Sequence, residues 1–238
     1  MSKRFRRLIA WCLALLFLPA CSTVPPTVKP EPTPSAPTKP AEPTPHTVTL
    51  AYSRSDSLDP FQMTSRVNRE LSTLLYEGLT RLDEAMQPQN ALAELVQVKG
   101  ERVTARLRAD AVFSDGSAVT AADVVASFTA AKESAAYAPL LWEFKEATAA
   151  EDARTVTFTL SKPDPFAAAC LTFPVVRANG NTPLGSGRYV YDPAPRLVAN
   201  PYWGEVTVPE IRLLDLVNDE ERAGGVEVGS VTCFFSDL

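Results

Sequence analysis

The sequence predicts an α/β fold for residues 48–238, and three observations carry that prediction. Alternating apolar residues mark strands, as in Val48, Leu50 and Tyr52 or Val156, Phe158 and Leu160. Between such strands lie apolar stripes at helical spacing, as in Val67, Leu71, Leu74 and Leu75. The third observation is residues 112–132, which join a strand end, a turn and a capped helix in one run. Ser114, Asp115, Gly116 and Ser117 are turn formers, and Gly116 is free to take positive φ. Thr120 and Asp123 are spaced as a capping box, so a helix should start at Ala121. Its apolar stripe is Val124, Val125, Phe128 and Ala131, which leaves Ala122, Asp123, Ser127 and Lys132 for water or lighter contacts.

Taken in order, the chain opens on a basic segment with Lys3, Arg4, Arg6 and Arg7, followed by an apolar run over residues 8–18. That run is too short for a permanent membrane span, so residues 1–20 read as a secretory signal. Leu18-Pro19-Ala20-Cys21 resembles a lipobox, which makes Cys21 the expected site of lipidation and the membrane anchor. Residues 21–47 hold nine prolines and form an extended spacer, able to reach roughly 80 Å from the anchor at about 3.1 Å per residue.

Folded sequence starts with the strand of Val48, Leu50 and Tyr52, and a loop over residues 53–64 follows. A helix carrying Val67 to Leu75 is expected to end at Gly78. Residues 79–82 form a short strand and residues 87–90 a loop. Residues 95–98 and 103–107 flank Lys99-Gly100-Glu101 as a hairpin. After residues 112–132 come a helical piece with Tyr137, Leu140, Leu141 and Trp142, the strand of Val156, Phe158 and Leu160, and a short apolar helix through Cys170. Gly185-Ser186-Gly187 lacks the third glycine and lysine of a phosphate loop and leads into a strand, so it is a backbone turn. Residues 197–200, a Pro201-Tyr202-Trp203-Gly204 turn and a strand over residues 211–217 follow, then the start of a further helix and strand.

Composition removes several function classes. The chain carries 23 Lys and Arg against 28 Asp and Glu, and loss of residues 1–20 would deepen the net charge from −5 to −9. An acidic surface is wrong for general nucleic-acid binding. The single histidine, His46, lies in the proline-rich spacer, so the folded region has no imidazole for a Ser-His-Asp or Cys-His site or for His-ligated zinc. No carboxylate pair stands out, so no enzyme and no cofactor are expected. Cys170 and Cys233 read as small core residues, with a disulfide between them left open.

Several stretches together resemble one family, the extracytoplasmic solute-binding proteins of the peptide/nickel (oligopeptide/dipeptide-binding) group of ABC importers. They are Ser57-Leu58-Asp59-Pro60, Leu75-Tyr76-Glu77-Gly78-Leu79, Leu92-Ala93-Glu94, Phe113-Ser114-Asp115-Gly116 with Thr120-Ala121-Ala122-Asp123-Val124, Leu160-Ser161-Lys162-Pro163, Gly185-Ser186-Gly187-Arg188-Tyr189 and Asn200-Pro201-Tyr202-Trp203. Arg188 departs from the proline expected after the second glycine. The resemblance implies an α/β, periplasmic-binding-protein-like (type II) fold, of which residues 48–238 supply lobe one and its small accessory sheet. The second lobe is missing from this pattern, so a truncated form is expected.

What the resemblance implies for function is a lipid-anchored, extracytoplasmic receptor of the bacterial cell membrane. It would capture peptides or similar small solutes and pass them to ABC permease subunits. Tyr52, Ser53, Thr64, Ser65 and Arg66 are the expected ligand-binding residues, with Arg66 offered to a solute carboxylate. The alternative is a surface lipoprotein that does not transport and serves as a structural or interaction module or an inactive remnant.

Overall fold

The computed structural model describes residues 47–179 and 182–234. The expected signal, the lipidation site Cys21 and nearly all of the spacer, residues 1–46, lie outside the described residues. Two four-stranded sheets and one hairpin organise the chain. The first sheet contains β1 (Val48–Tyr52), β10 (Glu210–Asp215), β9 (Arg196–Ala199) and β8 (Tyr189–Asp192), in that order. β1 runs parallel to β10, whereas β10, β9 and β8 form an antiparallel meander. On the far edge of β1, an isolated parallel bridge pairs Leu50 with Cys233, which is reached from β10 through helix α3 (Asp219–Glu227).

Sheet two has the order β4 (Ala93–Lys99), β5 (Arg102–Leu107), β7 (Thr155–Leu160) and β6 (Phe144–Ala149), all antiparallel. Register explains its dry face. Val103 opposes Phe158 and Ala105 opposes Val156, so the alternating apolar residues of β5 and β7 point to one side. Helix α2 (Ala121–Glu133) covers that side. Phe128 stands 5.4 Å from Phe158, 6.1 Å from Phe173 and 6.2 Å from Phe144, measured between ring centres. These aromatic pairs add edge-on and tilted contacts to the burial of large apolar area.

The capping box of α2 forms as its spacing predicts. Thr120 Oγ1 accepts from the Asp123 backbone at 3.3 Å, and the Asp123 carboxylate accepts the Thr120 N–H at 2.8 Å. Ser127 departs from expectation, since it is buried and exchanges hydrogen bonds with the backbone of Val176. Helix α1 (Arg66–Leu75) stops three residues before Gly78. The space denied at Gly78 explains that glycine instead, because a Cβ there would lie 2.8 Å from the Thr172 backbone.

Residues 88–90, expected as loop, are strand β3 (Pro88–Asn90), paired with β2 (Thr80–Leu82). β6 was not anticipated, and its burial pattern shows why. Only Phe144 of its six residues is buried, so an edge strand leaves almost no alternating signal. The helical pieces near Leu141 and Cys170 are single 3₁₀ turns, Ala138–Leu141 and Ala167–Cys170. Both cysteines are free, and Cys233 is exposed, which corrects its expected place in the core. No helix among the described residues is long and apolar enough to cross a membrane.

Candidate functional site

In an open α/β sheet, ligands gather where strands end at their carboxyl edge, because loops there are free to form a concave wall. β1 ends at Tyr52, and residues 53–64 leave the sheet at that point. Two anchors fix this loop. Asn68, fully buried on α1, accepts the Ser53 N–H at 2.9 Å and donates to the carbonyls of Ser53 (2.9 Å) and Ser57 (3.1 Å). Asp56 accepts from the backbone and hydroxyl of both Thr64 and Ser65, at 2.7–3.1 Å. Burial alone would raise the Asp56 carboxyl, but the Ser65 side chain and the Ser65, Thr64 and Ser57 backbones outweigh it and hold it below the usual carboxylate range.

The loop and the first sheet border an open cavity of about 540 Å³, lined by Tyr52, Arg54, Asp56, Asp59, Thr182 and Tyr191 among others. Tyr52 is almost fully buried. Burial first, then neighbouring Tyr191 and Asp215, push its phenol above its ordinary value, so it remains a neutral donor at physiological pH. Asp59 closes the loop on itself, accepting the Phe61 N–H and the Gln62 amide, both at 2.9 Å. A second hollow of about 350 Å³ shares Thr182 and Tyr191 with the first and extends along β8.

The five residues predicted as ligand contacts are dispersed. Tyr52 lines the cavity at the end of β1. Ser53 lies beside it, with its N–H held by Asn68 and its hydroxyl 3.2 Å from that of Ser55. Thr64 and Ser65 give their donors to Asp56, and Ser65 also caps α1. Thr64 faces a different hollow, of about 650 Å³, together with Arg69 and Tyr137. Arg66 lies on the surface of α1, 3.7 Å from Glu70.

Arg54, Asp56, Asn68 and Tyr191 were missed as parts of this site. Asn68 left a signal, being a polar residue on the same helical face as Leu71 and Leu75. Arg54 and Tyr191 left none, since they meet only through the pairing of distant strands.

Several of the sequence landmarks converge elsewhere, on the junction between the two sheets. Ser114 donates to Gly185 O at 2.9 Å, Val175 to Glu77 O at 2.8 Å, and Leu92 to Gly78 O at 3.1 Å. Asn200, 2% exposed, donates to Gly187 O at 2.7 Å and accepts the Tyr202 N–H at 3.0 Å. Gly116 takes φ +82°, and a Cβ there would meet the Tyr202 hydroxyl at 2.5 Å. Arg188 stacks over Trp203 with 5.6 Å between guanidinium and ring centre. These residues are joinery, holding the accessory sheet against the first sheet. The Gly185-Ser186-Gly187 turn shares that role, with the Gly187 N–H bound to Leu75 O at 3.0 Å.

A mixed sheet with a hollow at its first strand's carboxyl end is joined here to a separate antiparallel sheet. Among the described residues no group of His, Cys, Asp and Glu is arranged to hold a metal ion. Residues 86–233 match the family described as bacterial extracellular solute-binding proteins, family 5 Middle, and the chain belongs to that family.

The glutathione-binding protein GsiB of Escherichia coli (strain K12) is 31% identical over 120 residues, which cover 49% of this chain and 23% of GsiB. Among solved structures, NikZ from Campylobacter jejuni in complex with Ni(L-His) is similar, with a TM-score of 0.63 and 22% identity over 79% of this chain and 43% of NikZ. The Escherichia coli murein tripeptide binding protein MppA is similar with a TM-score of 0.62 and 21% identity, over 78% of this chain and 45% of MppA. The match thus spans about a quarter of GsiB and less than half of each solved relative. The family comprises binding proteins, not enzymes.

Proposed function

We propose that the protein is the solute-capturing component of an ABC importer, working outside the cytoplasm and taking up peptides or similar small solutes. The observation that carries this reading is the cavity at the carboxyl end of β1, in a chain of the family 5 solute-binding proteins. Its relatives support the solute class, being a glutathione-binding protein and a murein tripeptide binding protein. The Ni(L-His) complex of NikZ keeps chelated nickel within the range to be tried. Tyr52 would line the wall nearest the solute with Ser53 next to it in the chain, whereas Thr64, Ser65 and Arg66, at the start of α1, stand outside the cavity. Delivery would be to permease subunits of the membrane. The apolar run over residues 8–18 and the Leu18-Pro19-Ala20-Cys21 motif support a lipid anchor at Cys21, which would keep the receptor beside its permease.

Thermal-shift titration of the full chain against tripeptide pools, glutathione and Ni(II)–histidine tests the reading. A solute present at a hundred times its Kd should stabilise the protein by about 2.7 kcal/mol, raising Tm by roughly 5–10 °C. No shift with any of these would overturn the proposal that this chain captures such solutes.

A further inference from the structure

Resting on the solute-binding reading, the inference concerns which group in the cavity chooses the solute. Three ionisable side chains of the loop after β1 face it, namely Arg54, Asp56 and Asp59. Both carboxylates are already engaged. Asp56 accepts from four donors of Thr64 and Ser65, and Asp59 accepts from Phe61 and Gln62. Asp215, at the end of β10, accepts the backbone N–H of Arg54 at 2.9 Å. By contrast, the Arg54 guanidinium makes no hydrogen bond or ion pair among the described residues, although its backbone is tied to the sheet. A guanidinium offers five donors in a planar fork that fits a carboxylate with two parallel bonds. Around it stand further hydroxyl donors, Tyr52, Tyr191 and Thr182.

We propose that Arg54 is the specificity-determining residue of this cavity, and that it selects solutes with one free carboxylate. Asp56 and Asp59 set the limit on charge. Facing the same cavity as Arg54, these acidic side chains oppose a polyanion and favour a solute whose remainder is neutral or cationic, as in a zwitterionic peptide. Arg66, the guanidinium that sequence alone nominates, is the poorer candidate, because it lines no part of the cavity and has Glu70 as its neighbour.

The experiment uses two tripeptide pools of identical composition, one with free C-terminal carboxylates and one amidated. Binding to the full chain is measured for the unaltered protein, Arg54→Gln, Arg54→Lys and Arg66→Gln. A charge-assisted hydrogen bond implies that the unaltered protein prefers the acid pool by about 10- to 100-fold. Arg54→Gln should lose that preference and bind both pools alike, Arg54→Lys should retain part of it, and Arg66→Gln should keep all of it. Arg54 is exposed, so the variants should melt as the parent does, and a matched Tm confirms that folding is not the cause. Equal binding of acid and amide by the unaltered protein, or discrimination that survives Arg54→Gln, overturns the assignment while leaving solute binding intact. Failure of both pools to bind the unaltered protein overturns the assignment and the peptide reading together.

Discussion

The accessory sheet and the first sheet have the same number of strands but are held together differently. Among the described residues, sheet β4-β5-β7-β6 and α2 belong to a cluster of 22 buried apolar residues that includes Phe113, Phe128, Phe144, Phe158 and Phe173. Around the first sheet the main cluster has eight, with polar-tipped Tyr52, Tyr76 and Tyr189 among them. The accessory sheet is a self-sufficient core, whereas the first sheet spends its buried surface on positioning a loop and a cavity. Matched truncations would break this contrast if it is wrong. Leu107→Ala in β5 should cost about 4–5 kcal/mol, the upper end for such deletions, and Leu213→Ala in β10 about 2 kcal/mol, the lower end. Urea denaturation followed by circular dichroism measures both. Equal costs would show the two cores to be equally tight.

The next largest effect concerns the seam between the regions. At Gly187 an added Cβ would sit 2.4 Å from the Leu75 carbonyl carbon and 2.5 Å from Leu74 O, all backbone that cannot swing aside. Gly187→Ala should therefore cost about 1–3 kcal/mol, the usual range for overpacking. Gly224 gives the opposite sign. It lies within α3 with nothing inside 4 Å of an added Cβ, and Gly224→Ala should stabilise by about 0.5–1 kcal/mol through a better helix propensity. Thermal melts of the two variants separate seam from surface, since one should fall and the other rise.

The same contrast explains what was legible in the sequence. Strands β5 and β7 and helix α2 announce themselves because their signals are local: alternation, a capping box, an apolar stripe. The family landmarks are legible for a related reason, since residues such as Gly116 and Asn200 meet strict backbone demands at the seam. The candidate site is composed differently. Tyr52 and Tyr191 are separated by most of the chain and meet because β1 pairs with β10, which leads through β9 to β8. No local period encodes that meeting. Arg66 is nominated by the resemblance, as a partner for a solute carboxylate, and on α1 its side chain lies 3.7 Å from Glu70. Strand β6 was illegible because an edge strand with one buried residue has no alternation to detect.

A small effect, and the most specific, is expected at the link between α2 and the strap that leads back to the first sheet. Arg177 donates to Asp123 through Nε at 2.9 Å and Nη2 at 2.6 Å, to Ser117 Oγ at 2.8 Å, and stacks 4.5 Å over Phe113. Burial would raise the Asp123 carboxyl, but Arg177 and the Thr120 hydroxyl and backbone overcome it and hold it below its ordinary value. Because the folded value is depressed, the stability Asp123 contributes is fully present above the unfolded value of about 4. It is lost as pH falls through the folded value. Asp123→Asn should therefore cost about 1 kcal/mol at neutral pH, comparable to loss of a helix cap. That cost should shrink as the pH is lowered below about 4, where the parent carboxylate is itself protonated. Unfolding measured at pH 7, 5 and 3 tests this, and a cost independent of pH would assign the contribution of Asp123 to shape and not to its charge.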